Sequence, residues 1–260
     1  MAIPKILHYC WFGKTDLPEN VKDCINSWKK YCPDYEIMCW NETNYDYSKH
    51  QFTREAYEQG KWAYVSDVAR LEVVYEHGGI YLDTDVELIK TLDPLLSHKA
   101  FMGFEQGRHV ATGLGFGAER GNPVIKANLD SYNNMCFLLD DGELNTTPCP
   151  WVTTACLEEF GLSREDRYQD LEHIVVYPSE YFCPMLLEDG CAETTENTVS
   201  IHHYFATWTT EARRKKELLR RKAYTRYGRK GLSVLDGFYL LKEQGVSAFL
   251  KRLIEKMKGQ

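Results

Sequence analysis

One segment, residues 63–88, constrains the fold more than any other part of the chain. Apolar residues recur at helical spacing along its first half: Tyr64, Val68, Leu71 and Tyr75. Gly78 and Gly79 then predict the end of that helix, because glycine commonly occupies the position just past a helix. The apolar residues 80–82 are predicted to form a short buried strand, with Asp83 and Asp85 at its carboxyl end. A helix followed by such a strand indicates an α/β fold.

Asp83 and Asp85 are separated by one residue, and two carboxylates at that spacing can share a hard divalent cation, which prefers oxygen ligands. In an open α/β sheet, ligands bind beyond the carboxyl ends of the strands. A polar turn that simply ends the strand is the alternative. Asp67 and Arg70 lie three residues apart on the preceding helix, so they are neighbours on its surface. An ordinary surface ion pair is the alternative explanation for them.

These residues together resemble the core of a known enzyme family. Ser66 and Asp67, then Arg70, then Gly-Gly-Ile-Tyr-Leu-Asp-Thr-Asp at 78–85 are similar to the central block of the glycosyltransferases of family 32. That family includes bacterial capsular-polysaccharide transferases, fungal mannosyltransferases and, more distantly, the clostridial glucosylating toxins. Two later stretches, 177–184 and 200–208, also resemble bacterial members, so the resemblance covers roughly residues 3 to 208.

The resemblance implies a fold of the GT-A type, a Rossmann-like mixed central sheet flanked by helices. We expect the catalytic domain to span residues 1–210 and a basic helical extension to span 211–260. The opening of the chain agrees, because the predicted strand at 3–11, helix ending near 31 and strand at 35–40 resemble a nucleotide-binding α/β unit. The chain contains neither a dinucleotide-binding G-x-G-x-x-G motif nor a P-loop. Further helices are predicted at 123–138 and 150–160.

The implied reaction is the retaining transfer of a sugar from a nucleoside-diphosphate donor, with a UDP-sugar favoured and a GDP-sugar as the alternative. The expected acceptor is a glycan or a lipid-linked glycan. The expected cofactor is Mn²⁺ or Mg²⁺, bound by Asp83, Asp85 and His202. His202 matches the family's histidine six residues before a tryptophan, here Trp208, and only one of two adjacent strand histidines can reach the site. A mixed set of oxygen and imidazole ligands suits Mn²⁺.

The same resemblance suggests the donor-binding residues. Trp11 matches the family tryptophan against which the nucleotide base lies, although a strand tryptophan is more commonly a core residue. Asp67 and Arg70 are expected to hold donor hydroxyls by charge-assisted hydrogen bonds. Tyr81 is expected to touch the ribose or the sugar, and Trp208 to cap the diphosphate. The expected catalytic residues are Asp67, Arg70 and Asp85.

Two other function classes remain open from the residues alone. A haloacid-dehalogenase-like phosphatase also carries a strand ending in D-x-D, with Asp83 as nucleophile and Asp85 as acid. About eighty residues precede the motif here, whereas in such phosphatases it lies near the chain start. A non-catalytic sugar-nucleotide-binding protein is the third possibility, against which the intact set of carboxylates argues.

Charge is distributed unevenly along the chain. The net charge is −7, but residues 211–260 hold 15 lysines and arginines against 5 aspartates and glutamates, a net charge of +10. Apolar residues recur at helical spacing near the end of this basic segment: Phe249, Leu250, Leu253, Ile254 and Met257. This pattern is typical of helices on anionic membranes, and packing on the acidic body is the alternative. We expect no nucleic-acid partner.

The expected location is the cytoplasm, with peripheral association at the inner face of the cell membrane. No run of about 18 apolar residues is present, and the N-terminus lacks the apolar core of a signal peptide. The nine cysteines form no C-x-x-C pair, so we expect reduced and mostly buried thiols rather than a zinc site.

Overall fold

The computed structural model describes residues 2–106, 108–187, 191–205 and 211–258. The chain divides into two compact units. The first contains Met1–Met185 and Thr194–Trp208, and the second contains Leu186–Glu193 and Thr209–Gln260. The predicted functional division at residue 210 stays a prediction.

The first unit is built around a mixed seven-stranded sheet in the order β2-β1-β3-β6-β5-β8-β7. Its strands are β1 (Ile6–Cys10), β2 (Glu36–Trp40), β3 (Gly79–Tyr81), β5 (Ala100–Gly103), β6 (Phe116–Ala118), β7 (Gln169–Asp170) and β8 (Val175–Tyr177). β2, β1 and β3 are parallel, and β6 runs antiparallel between β3 and β5. β8 is parallel to β5, and β7 is antiparallel to β8. A second, two-stranded sheet pairs β4 (Val86–Leu88) with β9 (Ser200–His202).

Helices cover both faces of the large sheet. They are α1 (Glu19–Tyr31), α2 (Gln51–Glu58), α3 (Trp62–His77), α4 (Pro123–Asp130) and α5 (Cys149–Glu159). Side chains alternate across a strand, so Ile80 packs in the core cluster on the α1 face while Tyr81 packs in the cluster on the α3 face. The prediction of a GT-A type mixed sheet with flanking helices is therefore confirmed.

α3 ends abruptly and delivers β3 to the centre of the sheet. Gly78 and Gly79 have φ angles of 69° and 101°, in the region that favours glycine. A Cβ atom on Gly79 would lie 2.8 Å from the carbonyl oxygen of Ile6, so a side chain would also collide with β1. The two glycines allow the chain to leave the helix and pair with β1 within two residues.

The predicted helix at 123–138 is shorter than expected. α4 begins as predicted, because Asn122 caps it by accepting hydrogen bonds from the N–H groups of Val124 and Ile125. It ends at Asp130, and residues 131–134 continue only as turns. Two asparagines at 133 and 134 favour turns over helix because their side chains compete for backbone hydrogen bonds. Residues 112–114 form a 3₁₀ turn just before β6.

His8 ties β1 to the end of β2 and to the turn after α3. The ring is fully buried, its Nε2 lies 2.8 Å from the carbonyl oxygen of Gly78, and Nδ1 accepts a hydrogen bond of 3.1 Å from Trp40 Nε1. This pairing requires a neutral ring that donates through Nε2. Burial lowers the pKa of His8 to about 4.

The lowered pKa of His8 predicts a pH-dependent stability. The unfolded chain binds a proton near pH 6.5 and the folded chain only near pH 4, so stability is lost as pH falls through that window. We expect the contribution of His8 to fall by about 2 kcal/mol between pH 7.5 and pH 5. Urea unfolding at both pH values measures it. A His8→Gln variant should lose this part of the pH dependence, and an unchanged dependence would contradict the assignment.

The second unit contains α6 (Glu211–Lys258), whose helical backbone is interrupted at Gly228 and Gly245. Arg220 Nε lies 2.9 Å from Asp236 Oδ1, and Lys216 Nζ lies 4.5 Å from the centre of the Tyr239 ring. These contacts pair the stretch before Gly228 with the stretch after it as an antiparallel hairpin. The predicted helical C-terminal stretch is confirmed. Among the helices that the structure describes, none is both long and apolar enough to cross a membrane.

Candidate active site

The two sheets bring Asp83, Asp85 and His202 together. Asp83 and Asp85 follow β3 and lead into β4, where Val86 pairs with His202 of β9. His202 Nε2 lies 3.2 Å from Asp85 Oδ1 and 4.0 Å from Asp83 Oδ2. One potential ligand atom from each of the three residues lies within 4.8 Å of the other two. The three predicted metal ligands thus converge, although about 120 residues of chain separate the two aspartates from His202.

The neighbouring histidine has a different environment. His203 Nε2 lies 2.8 Å from Glu87 Oε2, and its backbone N–H donates to the carbonyl oxygen of Asp85. The alternation of side chains along β9 therefore directs only His202 to the two aspartates. His203 instead holds the end of β9 against β4.

The donor set fits a divalent cation. Two carboxylates and an imidazole suit Mn²⁺ or Mg²⁺, and the side chains of Asp83 and Asp85 are 25% and 18% exposed, so solvent and solutes reach them. Gly113 makes room beside the first, because a Cβ atom there would lie 2.4 Å from Asp83 Oδ2. Within the described ranges, His202 Nδ1 is buried without a hydrogen-bond partner.

The charges around Asp83, Asp85 and His202 shift the pKa values of these three side chains. Burial alone would raise the pKa of Asp85, but His202 and the N–H of Phe205, which donates to Asp85 Oδ2 over 3.1 Å, hold that pKa below its usual value. Burial opposes protonation of His202, yet Asp85 and Asp83 raise its pKa above the ordinary value. Burial raises the pKa of Asp83, against the opposing charge of Arg70. A cation bound here would compete with the proton on His202.

Arg70 links α3 to the D-x-D turn. Its Nη2 lies 3.2 Å from Asp67 Oδ1 and 3.1 Å from Asp83 Oδ1. Its Nε donates to the carbonyl oxygen of Ser66, and its Nη1 donates to Thr112 Oγ1. Because its side chain is only 5% exposed, the surface ion pair considered as the alternative is wrong. Its donors are directed at protein acceptors, and contact of Asp67 and Arg70 with donor hydroxyls stays a prediction.

Tyr81 also orients Asp83. Its hydroxyl donates to Asp83 Oδ1 over 2.9 Å, and its ring lies 5.1 Å from the guanidinium carbon of Arg70. The residue is 1% exposed. Its predicted contact with the ribose or sugar stays a prediction, whereas its contact with Asp83 gives it a clear positioning role.

Of the two tryptophans predicted to bind the donor, only Trp11 lies among the described residues. Trp11 follows β1, is partly buried against the α1-side core, and donates from Nε1 to the carbonyl oxygen of Thr15. Stacking of a nucleotide base on Trp11 stays a prediction. Trp208 lies outside the described residues.

Three further residues at the site were not among the predicted site residues. Thr112 accepts from Arg70, Gly113 accommodates Asp83, and Cys149 Sγ lies 3.7 Å from Arg70 Nη1. Burial raises the pKa of the Cys149 thiol, so it remains protonated. The glycines of 112–117 suggested a close approach of backbone, but Cys149 carried no signal beyond its residue type.

Comparison with known proteins finds a matching sugar-binding region and several similar glycosyltransferases. Residues 18–102 match the glycosyltransferase sugar-binding region containing DXD motif. The chain is 32% identical over 132 residues to inositol phosphoceramide mannosyltransferase 3 of Schizosaccharomyces pombe, covering 48% of this chain and 35% of that protein. It is 24% identical to the uncharacterized glycosyltransferase L373 of Acanthamoeba polyphaga mimivirus, covering 79% and 84% of the two chains. The chain spans about a third of the length of the first of these relatives.

Two solved structures are also similar. The PaToxG glycosyltransferase superposes with a TM-score of 0.47 at 20% identity, covering 61% of this chain and 70% of that one. A glycosyltransferase involved in glycosylation of the major capsid of PBCV-1 gives a TM-score of 0.45 at 14% identity, covering 83% and 99%.

A mixed α/β sheet carries the D-x-D turn at its carboxyl edge, and that turn lies inside the matched sugar-binding region. The resemblance to the glycosyltransferases of family 32 that residues 66–85 predicted is confirmed over this matched region.

Proposed function

We propose that this protein transfers a sugar, with metal dependence and retention of configuration, from a nucleoside-diphosphate sugar to a glycan or lipid-linked glycan. The observation that carries the proposal is the convergence of Asp83, Asp85 and His202 beside a buried Arg70. A UDP-sugar is the donor favoured by sequence, with a GDP-sugar as the alternative. The mannosyltransferase names of the relatives make mannose the first sugar to test.

The residues present support two separate roles, metal binding and positioning of the metal ligands. Asp83, Asp85 and His202 would hold Mn²⁺ or Mg²⁺, which supplies positive charge to the diphosphate that leaves. Tyr81 and Arg70 fix one oxygen of Asp83, and the N–H of Phe205 fixes one oxygen of Asp85. Such fixed ligands cost little reorganisation during the reaction.

The arrangement of carboxylates favours attack on the same face as the leaving diphosphate. Asp67 is a further carboxylate joined to this cluster beyond the D-x-D pair, and it is largely buried and paired with Arg70. A paired, buried carboxylate is a poor candidate for the covalent nucleophile of a double displacement. We therefore propose a front-face route through an oxocarbenium-like state.

The phosphatase alternative finds less support. Its nucleophile would be Asp83, yet Oδ1 of that residue is already engaged by Tyr81 and Arg70. An attacking carboxylate oxygen needs free access to the phosphorus atom. The transferase and phosphatase activities are distinguished by incubating the protein and Mn²⁺ with each of three substrates: GDP-mannose, UDP-glucose and p-nitrophenyl phosphate. Release of nucleoside diphosphate supports transferase chemistry, and release of p-nitrophenol supports the phosphatase.

We also propose that α6 contacts an anionic membrane surface, where a lipid-linked acceptor would lie. Three apolar residues four and three positions apart share one helix face and are exposed: Val234, Phe238 and Leu241. Lysines at 230 and 242 flank them, in a segment of net charge +10. The side chains of Phe249, Leu250, Leu253, Ile254 and Met257 lie outside the described residues. Apolar insertion beside basic residues is typical of membrane-surface helices.

The membrane proposal predicts binding to anionic vesicles. The full chain should sediment with vesicles of phosphatidylglycerol and phosphatidylcholine at low salt, and a Val234→Ser, Phe238→Ser variant should lose most of that binding. Leu138→Ser, at an exposed leucine of the first unit, is the matched control and should bind as the wild type does. Absence of wild-type binding would overturn the proposal.

A further inference from the structure

An exposed aromatic pair lies at the start of α5. Trp151 is 59% exposed, although large aromatic side chains usually bury most of their surface. Its ring is stacked on that of His109, with ring centres 5.6 Å apart and planes within 6°. The stack covers one face of the indole and leaves a flat, largely apolar surface accessible.

Hydrogen bonds hold in place the two chain segments that carry His109 and Trp151. The N–H of Val110 donates to Thr154 Oγ1 over 2.9 Å, and that hydroxyl donates to the carbonyl oxygen of Pro150. The N–H of Glu105 donates to the carbonyl oxygen of His109 over 2.7 Å. The segment that carries His109 is thereby fastened to the first turn of α5, which carries Trp151. The pair is prearranged and requires no ordering when a ligand binds.

The two chain segments that carry the pair also contact Arg70. Cys149, two residues before Trp151, places its Sγ 3.7 Å from Arg70 Nη1. Thr112, three residues after His109, accepts a hydrogen bond from the same Arg70 nitrogen. Arg70 in turn contacts Asp83. The exposed indole is therefore connected by short runs of chain to the residues that surround the D-x-D turn.

We infer that Trp151, backed by His109, binds a pyranose ring of the acceptor glycan, an inference that rests on the proposed transferase function. A pyranose presents a face of C–H groups that packs on a flat aromatic ring, while its hydroxyls remain at the solvated rim. An indole offers such a surface at low cost in side-chain entropy. The short runs of chain from the pair to the residues that contact Arg70 are the basis for assigning this sugar to the acceptor.

Saturation-transfer NMR with methyl mannosides, glucosides and galactosides and their disaccharides tests this inference, with diamagnetic Mg²⁺ and GDP or UDP present. The wild type should bind at least one of these sugars, and Trp151→Ala should weaken that binding tenfold or more. Trp151→Phe should restore part of it. Tyr168→Ala is the matched control, since Tyr168 is exposed and adjoins β7 at the far edge of the sheet.

Donor hydrolysis measured on the same variants separates this inference from the proposed function. If Trp151→Ala hydrolyses donor at the wild-type rate but loses sugar binding, both stand. If it hydrolyses donor and binds sugars as the wild type does, the acceptor inference is wrong and the transferase function survives. If the wild type hydrolyses no donor while Trp151→Ala still abolishes sugar binding, the aromatic site stands and the transfer reaction fails. Binding of no sugar by the wild type overturns the inference.

Discussion

Replacing Asp85 by asparagine is expected to lower the rate of sugar transfer by a factor of about 10³ or more, a barrier increase of about 4 kcal/mol. The substitution keeps the shape of the side chain and an oxygen that can accept from the N–H of Phe205, but it removes the negative charge. A cation site loses one of its two carboxylates, while burial of this partly exposed residue hardly changes. Release of nucleoside diphosphate with saturating donor and Mn²⁺ measures the loss.

Glu87→Gln provides the matched control for the Asp85 variant. Glu87 lies two residues further along the chain, carries the same charge, and contacts His203 rather than His202. We expect this variant to keep transfer within a few-fold of the wild type. Wild-type turnover by Asp85→Asn at low Mn²⁺ would contradict a ligand role for Asp85.

Replacing Arg70 by methionine is expected to destabilise the first unit by about 3–5 kcal/mol, because the change leaves the carboxylates of Asp67 and Asp83 buried without their partner. We also expect transfer to be lost, since Asp83 would no longer be held by the guanidinium. Urea unfolding at pH 7.5 measures the stability, and the turnover assay measures the activity.

Two further variants test whether burial makes the ion pairs of Arg70 contribute more to stability than an exposed ion pair does. Arg164→Met removes an exposed pair with Glu158 and should cost at most about 1 kcal/mol. Adding Asp67→Asn to Arg70→Met should recover part of the stability, because one unpaired buried charge is removed. Equal stability losses at Arg70 and Arg164 would show that burial does not govern the Arg70 interaction.

Local sequence pattern was enough to predict the centre of the fold. The helical spacing of 64–75, the glycine pair and the apolar residues 80–82 each act over a few residues, so α3, its end and β3 could be predicted. Strand alternation similarly predicted that one histidine of 202 and 203 would reach the aspartates. These features depend on backbone geometry rather than on distant contacts.

The remaining features depend on contacts between distant residues. Cys149 and Thr112 meet Arg70 from 79 and 42 residues away, and no local pattern announces either contact. Glu72 is another case, since it lies on the helix that carries Arg70 and yet is buried, accepting from Tyr45 and paired with Lys49. The early end of α4 is a local feature, but apolar spacing does not reveal it because it reflects the turn chemistry of asparagine.

The dependence of donor turnover on Mn²⁺ in the wild type and in His202→Ala tests the metal centre most directly. We expect GDP-mannose or UDP-glucose to release nucleoside diphosphate only with a divalent cation. We also expect His202→Ala to need at least tenfold more Mn²⁺ for half-maximal release. Turnover that persists in EDTA, or an identical Mn²⁺ dependence in the two proteins, would contradict a metal centre formed by Asp83, Asp85 and His202.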